Sequence, residues 1–202
     1  MMIPLVDYKW IFAGMTTLKT DRLVISPMTL DDAELLFELD QDPMVMRYIS
    51  CGRKTTRDEI DNVFLPRLAK YLNLEKGWGI WKVFVYSVEN SQHAIEDDLF
   101  VGWILIRPMN YFTEKPEFNN LEIGWRFKQS AWGKGIATES ARVVVDHLVN
   151  TQVDIKYLSA IADEQNLASI NIMKKLGMKF IKKISHPDVA DDVEVVLYSR
   201  TL

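Results

Sequence analysis

A chain of 202 residues with 48% hydrophobic and 26% charged residues has the balance of a soluble globular domain. Lys plus Arg total 24 against 28 Asp plus Glu, a formal net charge of -4, which argues against a surface built to neutralise nucleic-acid phosphates or anionic lipid. One cysteine, Cys51, permits no intrachain disulfide and no Cys-based zinc site, and His93, His147 and His186 lack ligand spacing. Asp7 and Lys9 interrupt the apolar start, no basic segment precedes it, and no run approaches the ~20 apolar residues that span a bilayer. The reading is a protein of the reducing cytoplasm with no metal, nucleic-acid or membrane partner, as a monomer or homodimer.

Residues 22–26 (Arg-Leu-Val-Ile-Ser) form a β-prone run closed by Pro27. Thr29 with Asp32 three residues later reads as a capping box opening a helix through Leu39, which Pro43 ends. A second helix is expected from Thr56 to Leu72 with Ile60, Val63, Phe64, Leu68 and Tyr71 near one face, kinked or split by Pro66. Strands are expected over 79–88, 100–107 and 120–128; the last alternates Leu121, Ile123, Trp125 and Phe127 with Glu122, Gly124 and Arg126. Between the first two, the acidic stretch 89–99 is expected to be an exposed loop. A helix follows over 135–150, a strand over 157–162, and a helix over 166–176 closed by Gly177. Strands over 178–184 and 193–198 finish the order β-α-α-β-β-β-α-β-α-β-β, a single α+β domain after an extension of residues 1–17.

The most informative segment runs from Leu121 to Glu139. A strand passes through a short turn containing Gly133 and Gly135 directly into a helix. Glycines there let a ligand approach main-chain N–H groups, and the helix start adds the positive end of its dipole. The result is a cradle for phosphate or pyrophosphate. No Gly-x-x-x-x-Gly-Lys-Ser/Thr sequence is present. A dinucleotide fingerprint would find Thr138 in place of its third glycine, with Asp154 as the ribose acid. Too little chain follows for its repeated βαβ series. An ordinary glycine turn is the plain alternative.

Trp132-Gly133-Lys134-Gly135-Ile136-Ala137-Thr138-Glu139 resembles the pyrophosphate loop of the GNAT acetyltransferases, whose pattern is Gln/Arg-x-x-Gly-x-Gly/Ala. Gly135 and Ala137 match its last two specified positions, and Trp132 stands where Gln or Arg is usual. Asn166 to Phe180 is similar to that family's Asn-x-x-Ser/Ala helix ending in Lys-x-Gly-Phe. Thr-Asp-Arg-Leu within residues 18–27 resembles the first strand of its Rim-type branch of ribosomal-protein N-terminal acetyltransferases. The resemblance covers roughly residues 18–202. It implies a central mixed, mostly antiparallel sheet with helices on both faces, and acetyl transfer from acetyl-CoA to a protein N-terminus or a small amine such as a polyamine or aminoglycoside. A CoA-binding sensor without turnover is the alternative.

The resemblance also assigns residues. The backbone of Gly133, Lys134, Gly135, Ile136, Ala137 and Thr138 would take the pyrophosphate, with Trp132 beside it, and Trp125 and Phe127 would pair with the pantetheine arm. Asn166 and Ser169 would touch the cofactor while Asn166 caps its helix. A tyrosine often protonates the departing thiolate in this family; Met173 stands at that position, leaving Ser169 as the substitute. Glu122, on the opposite face from Leu121, Ile123 and Trp125, is the candidate base, facing a cleft or solvent. Tyr71, Trp78 and Trp81 are candidate acceptor-pocket residues, and Asp97 and Asp98 a candidate lure for a cationic acceptor. Packing or solvation is the plain reading of each.

Overall fold

The computed structural model describes residues 16–86, 99–152, 154–189 and 193–202. Strands β1 (Leu18–Lys19), β2 (Leu23–Pro27), β3 (Gly79–Val85), β4 (Leu99–Met109), β5 (Glu117–Phe127), β6 (Tyr157–Ala162), β7 (Lys179–Ser185) and β8 (Glu194–Thr201) form one sheet. Its order is β1-β2-β3-β4-β5-β6-β8-β7. Every neighbouring pair is antiparallel except β5 and β6, which run parallel because helix α4 (Ile136–Thr151) carries the chain between them. One parallel pair in an otherwise antiparallel sheet also excludes the doubly wound dinucleotide-binding architecture.

The alternation along β5 sorts the molecule into two cores. Leu121, Ile123 and Phe127 are buried with Ile104, Ile106 and Trp81 against Val144 and Leu148 of α4 and Ile170 and Met173 of α5 (Leu167–Lys175). On the other face, Trp103 and Ile80 pack with Leu36 and Leu39 of α1 (Ala33–Leu39) and Leu68 and Tyr71 of α3 (Leu65–Tyr71). Helices therefore cover both faces, as the α+β reading expects.

Local chemistry places the helix ends. Thr29 and Asp32 close the expected capping box, over a 3₁₀ turn (Leu30–Asp32) that leads into α1. Gly177, at φ +81°, ends α5: its N–H donates to Lys174 O at 3.0 Å, and Met178 N–H to Met173 O at 3.1 Å. That pair is a Schellman cap.

The helix expected over 56–72 is split, and Pro66 explains how. A short α2 (Arg57–Glu59), capped by Thr56, passes into a π turn (Ile60–Phe64) before α3, where Pro66 sits in the first turn. Proline has no N–H to give the preceding turn, and the wider i→i+5 winding accommodates that loss. The extra residue per turn rotates Val63 and Phe64 outward, 47% and 37% exposed, while Ile60, Leu68 and Tyr71 stay buried. Val63 and Phe64 therefore leave the apolar face expected of them. Elsewhere β1 is an added two-residue strand, β5 begins three residues earlier than expected, and β8 ends three residues later. Most of the acidic stretch, with Asp97 and Asp98, and His93 lie outside the described residues.

Candidate active site

Strands β5 and β6 are paired only over Asn120↔Tyr157, Leu121↔Leu158 and Glu122↔Ser159, although β5 continues to Phe127 and β6 to Ala162. Beyond Glu122 they part. Lys128 N–H donates to Val101 O at 2.9 Å, so the two-residue alternation of an antiparallel ladder directs the even-numbered residues of β5 toward β4. The main-chain groups of Trp125 and Phe127 consequently face the gap. One of them has a partner: Trp132 Nε1 donates to the Phe127 carbonyl at 2.8 Å. Across the gap, Trp125 Nε1 donates to Ser169 Oγ at 3.2 Å, and Asn166 Oδ1 accepts from Ser169 N–H at 3.1 Å while capping α5. Among the described residues the Ser169 hydroxyl donates no hydrogen bond of its own, which leaves a donor for a ligand.

The gap opens toward the glycine turn. Gly133 and Gly135 have φ of +71° and +76°, left-handed values that a Cβ opposes, and Gly135 serves as N-cap of α4. The first backbone bond donated by this stretch comes from Glu139 N–H to Gly135 O at 3.0 Å. Among the described residues, the N–H groups of Gly133 to Thr138 donate none. They form the positive end of a 16-residue helix beside a groove of ≈ 560 Å³ lined by Gly135, Thr138, Glu139, Arg142, Val143 and Lys175. Ile136 and Thr138 bury their side chains and Ala137 packs on the main core, so these residues offer backbone to a ligand. Lys134 is exposed, and Trp132 is 47% exposed beside the turn. No group of His, Cys, Asp and Glu that could hold a metal occurs among the described residues.

Glu122 lies where the strands part, but it faces neither an open cleft nor solvent. It is 5% exposed; Arg107, its cross-strand neighbour on β4, donates from Nε to Glu122 Oε2 at 2.8 Å, with Nη2 standing 2.8 Å from the same oxygen. Arg107 Nη2 also reaches Asp188 Oδ2 at 2.7 Å, and Arg67 Nη2 reaches the same oxygen at 3.0 Å. A buried carboxylate in mid-strand is stable here because an arginine stands opposite it. Burial acts to lower the Arg107 pKa, yet Glu122 and Asp188 together raise it above the usual arginine value. Tyr71 borders this cluster, with the Arg107 guanidinium carbon 5.9 Å from its ring centroid, and burial pushes its phenol up to about 12. It is a neutral hydrogen-bond donor at neutral pH. Trp81 and Trp78 belong to the opposite core: Trp81 is buried with Nε1 donating to Gly77 O, and Trp78 stacks on Phe118. They do not join Tyr71 in a common pocket.

Residues that sequence reasoning passed over complete the cluster. His186 Nδ1 accepts from Asp188 N–H at 3.1 Å. Burial first, then Arg107 and Arg67, lower its pKa against the pull of Asp188 and Glu122. The neutral ring therefore carries its proton on Nε2. A base held neutral by the fold stabilises it above the unfolded pKa of about 6.5, because below that value the unfolded chain takes up the proton first. Stability should fall as pH drops from 6.5 toward the lower folded pKa, and His186→Gln should flatten that slope. Urea midpoints at pH 7 and 5.5 measure both. A second buried pair, Arg126 with Asp40, sits on the same face; Thr55 Oγ1 donates to Asp40 Oδ2 at 2.7 Å. The available signal was charge inside apolar strands: Arg107 follows Trp-Ile-Leu-Ile, and such a residue demands a partner.

Residues 22–179 match the family model described as an acetyltransferase (GNAT) domain. The chain is 29% identical over 194 residues to FsC-acetyl coenzyme A-N(2)-transacetylase of Aspergillus fumigatus, covering 92% of this chain and 76% of that protein. It is 32% identical over 170 residues to an uncharacterized protein, YkkB, of Bacillus subtilis (84% and 88% covered). Among solved structures, RimL, a ribosomal L7/L12 alpha-N-protein acetyltransferase in complex with coenzyme A, superposes with a TM-score of 0.65 at 14% identity, over 93% of this chain and 98% of that one. The chain belongs to the GNAT acetyltransferase family.

Proposed function

We propose that residues 18–202 act as one acetyl-CoA-dependent N-acetyltransferase of the Rim-type branch. The acceptor is a primary amine, either a protein N-terminus or a small molecule. The observation that carries the reading is the parting of β5 from β6 beside six free amide N–H groups. The gap suits an extended arm lying against Trp125 and Phe127, and the turn suits two phosphates. The fit needs no positive net charge, because oriented N–H groups meet the anion. Bound acetyl-CoA supplies an activated acetyl thioester.

This chain's residues then manage protons and position. Glu122, enclosed beside Arg107, receives through an intervening water the proton that the acceptor nitrogen loses as its lone pair forms the new C–N bond. Arg107 fixes the orientation of that carboxylate through Oε2. A gap-facing main-chain N–H of β5 is suited to the oxyanion that develops on the acyl oxygen. Ser169 Oγ–H hydrogen-bonds the sulfur as the C–S bond breaks, and Trp125 holds the hydroxyl in place from its acceptor side. Met173 is fully enclosed in the main core and supplies no proton. An unperturbed thiol has a pKa of about 8.5, so the thiolate departs tolerably with a hydrogen bond alone.

Titration calorimetry with acetyl-CoA, followed by thiol release over a panel of spermidine, kanamycin and peptide N-termini, tests the reading. Micromolar binding with turnover on at least one amine is expected, in line with typical KM values of about 1 μM–1 mM. Binding without turnover on any amine favours the sensor, and no binding removes both readings. Among the described residues no helix is long and apolar enough to cross a membrane. Cytoplasmic residence is part of the proposal and suits the exposed free thiol of Cys51.

A further inference from the structure

The Thr-Asp-Arg-Leu segment has a use that catalysis leaves unexplained. Thr20 builds the turn between β1 and β2: its N–H donates to Leu23 O at 3.0 Å, and its hydroxyl accepts from Leu23 N–H at 3.0 Å. The same hydroxyl donates to Glu139 Oε1 at 2.7 Å. Arg22, projecting from that turn, donates through Nε at 2.9 Å and Nη2 at 2.6 Å to Glu139 Oε2. Its Nη2 also donates to the Lys134 carbonyl at 3.0 Å. One guanidinium therefore spans the glycine turn and the first turn of α4, residues more than a hundred positions away in sequence.

The consequence follows from peptide geometry. In a trans peptide the C=O of one residue and the N–H of the next point in opposite directions. Arg22 holds the Lys134 carbonyl toward β2, so the Gly135 N–H is turned away from β2. Left-handed Gly135 is otherwise the residue most able to let that plane flip. Arg22 and Glu139 keep 47% and 28% of their side chains exposed, and ion pairs this open add little to global stability. Their effect is on orientation.

We propose that Thr20, Arg22 and Glu139 form a latch that sets the glycine turn in its anion-receiving conformation before any ligand arrives, with Arg22 as the positioning residue. The inference rests on the reading that this turn receives the phosphates of CoA. Pre-setting a loop raises affinity by removing the ordering cost from the binding step. The CoA dissociation constant of Arg22→Gln should rise about tenfold, the size of one charge-assisted hydrogen bond lost. Glu139→Gln should match it, and the double variant should be no worse than either, because both break one device. KM for acetyl-CoA should rise with kcat at saturation unchanged. Arg22→Lys keeps the charge without the fork and should fall between.

A readout that needs no ligand completes the test. Lys134 lies in the turn, so tryptic cleavage at Lys134–Gly135, located by mass spectrometry, reports opening of the latch. Cleavage there should be several-fold faster in Arg22→Gln and Glu139→Gln, with thermal midpoints close to that of the parent protein. Unchanged CoA affinity together with unchanged cleavage overturns the latch. Weakening by Arg22→Gln alone, with Glu139→Gln neutral in both assays, also overturns it and makes Arg22 a direct ligand contact. If the parent protein binds no CoA, the transferase reading fails while the cleavage rates still decide for or against the latch.

Discussion

Glu122→Gln is expected to lower turnover by about 10²–10⁴-fold, the range a positioned general base contributes. That loss corresponds to roughly 3–5 kcal/mol of transition-state stabilisation. Binding of CoA should be unaltered, since neither the glycine turn nor the gap-facing backbone of β5 depends on the carboxylate. The variant is well suited to the question because the amide oxygen still accepts from Arg107, and Asp188 remains as a second partner for that guanidinium. Steady-state rates with the best amine of the panel across pH 6–9, with CoA titrations alongside, provide the check. Full turnover in the variant would remove Glu122 as the base and leave it as one half of a buried ion pair.

Arg107→Met should have the largest effect on stability. It strands Glu122 and loosens Asp188, whose side chains are 7% and 11% exposed, and breaking a buried pair from one side costs about 3–5 kcal/mol. For a chain of this size that is a fall of roughly 10 °C in thermal midpoint. Arg67 still reaches Asp188, so the damage centres on Glu122. Replacing the partner as well, in Arg107→Met/Glu122→Leu, should recover most of the loss, because an apolar pair of similar volume needs no solvation. Urea unfolding of the two variants tests this. A single-variant loss below about 1 kcal/mol would place the pair among the weak surface bridges.

Features local in sequence were legible from it. The capping box at Thr29, the glycine closing α5 and the alternation along β5 each act within a few residues, where periodicity and cap chemistry have direct force. The glycine turn and Asn166 could also be located, since their chemistry is carried by backbone and spacing. The sequence singles out Glu122 as a candidate but not its surroundings: whether it meets solvent or Arg107 depends on the register of β4 against β5, which no local pattern encodes. The same holds for Asp188, which a return loop brings to Arg107, and for Arg22 with Glu139. Pro66 announced a break without saying how it would be absorbed. The π turn is a tertiary compromise that keeps Ile60 and Leu68 in one core while expelling Val63 and Phe64.

The short seam between β5 and β6 also bears on how the molecule is held together. Three residue pairs join a leaf of five strands, β1 to β5, to a leaf of three, β6, β8 and β7. Past Ser159 the two leaves communicate through α4, α5, the indole-to-hydroxyl bond from Trp125 and the ion pairs of Arg107 and Arg67 with Asp188 in the loop between β7 and β8. A molecule seated in the gap would hydrogen-bond to one leaf while resting on α5, which packs on the other, serving as a rivet between them. The tautness of the smaller leaf, including its outermost strand β7, would then report occupancy of a site that it does not touch.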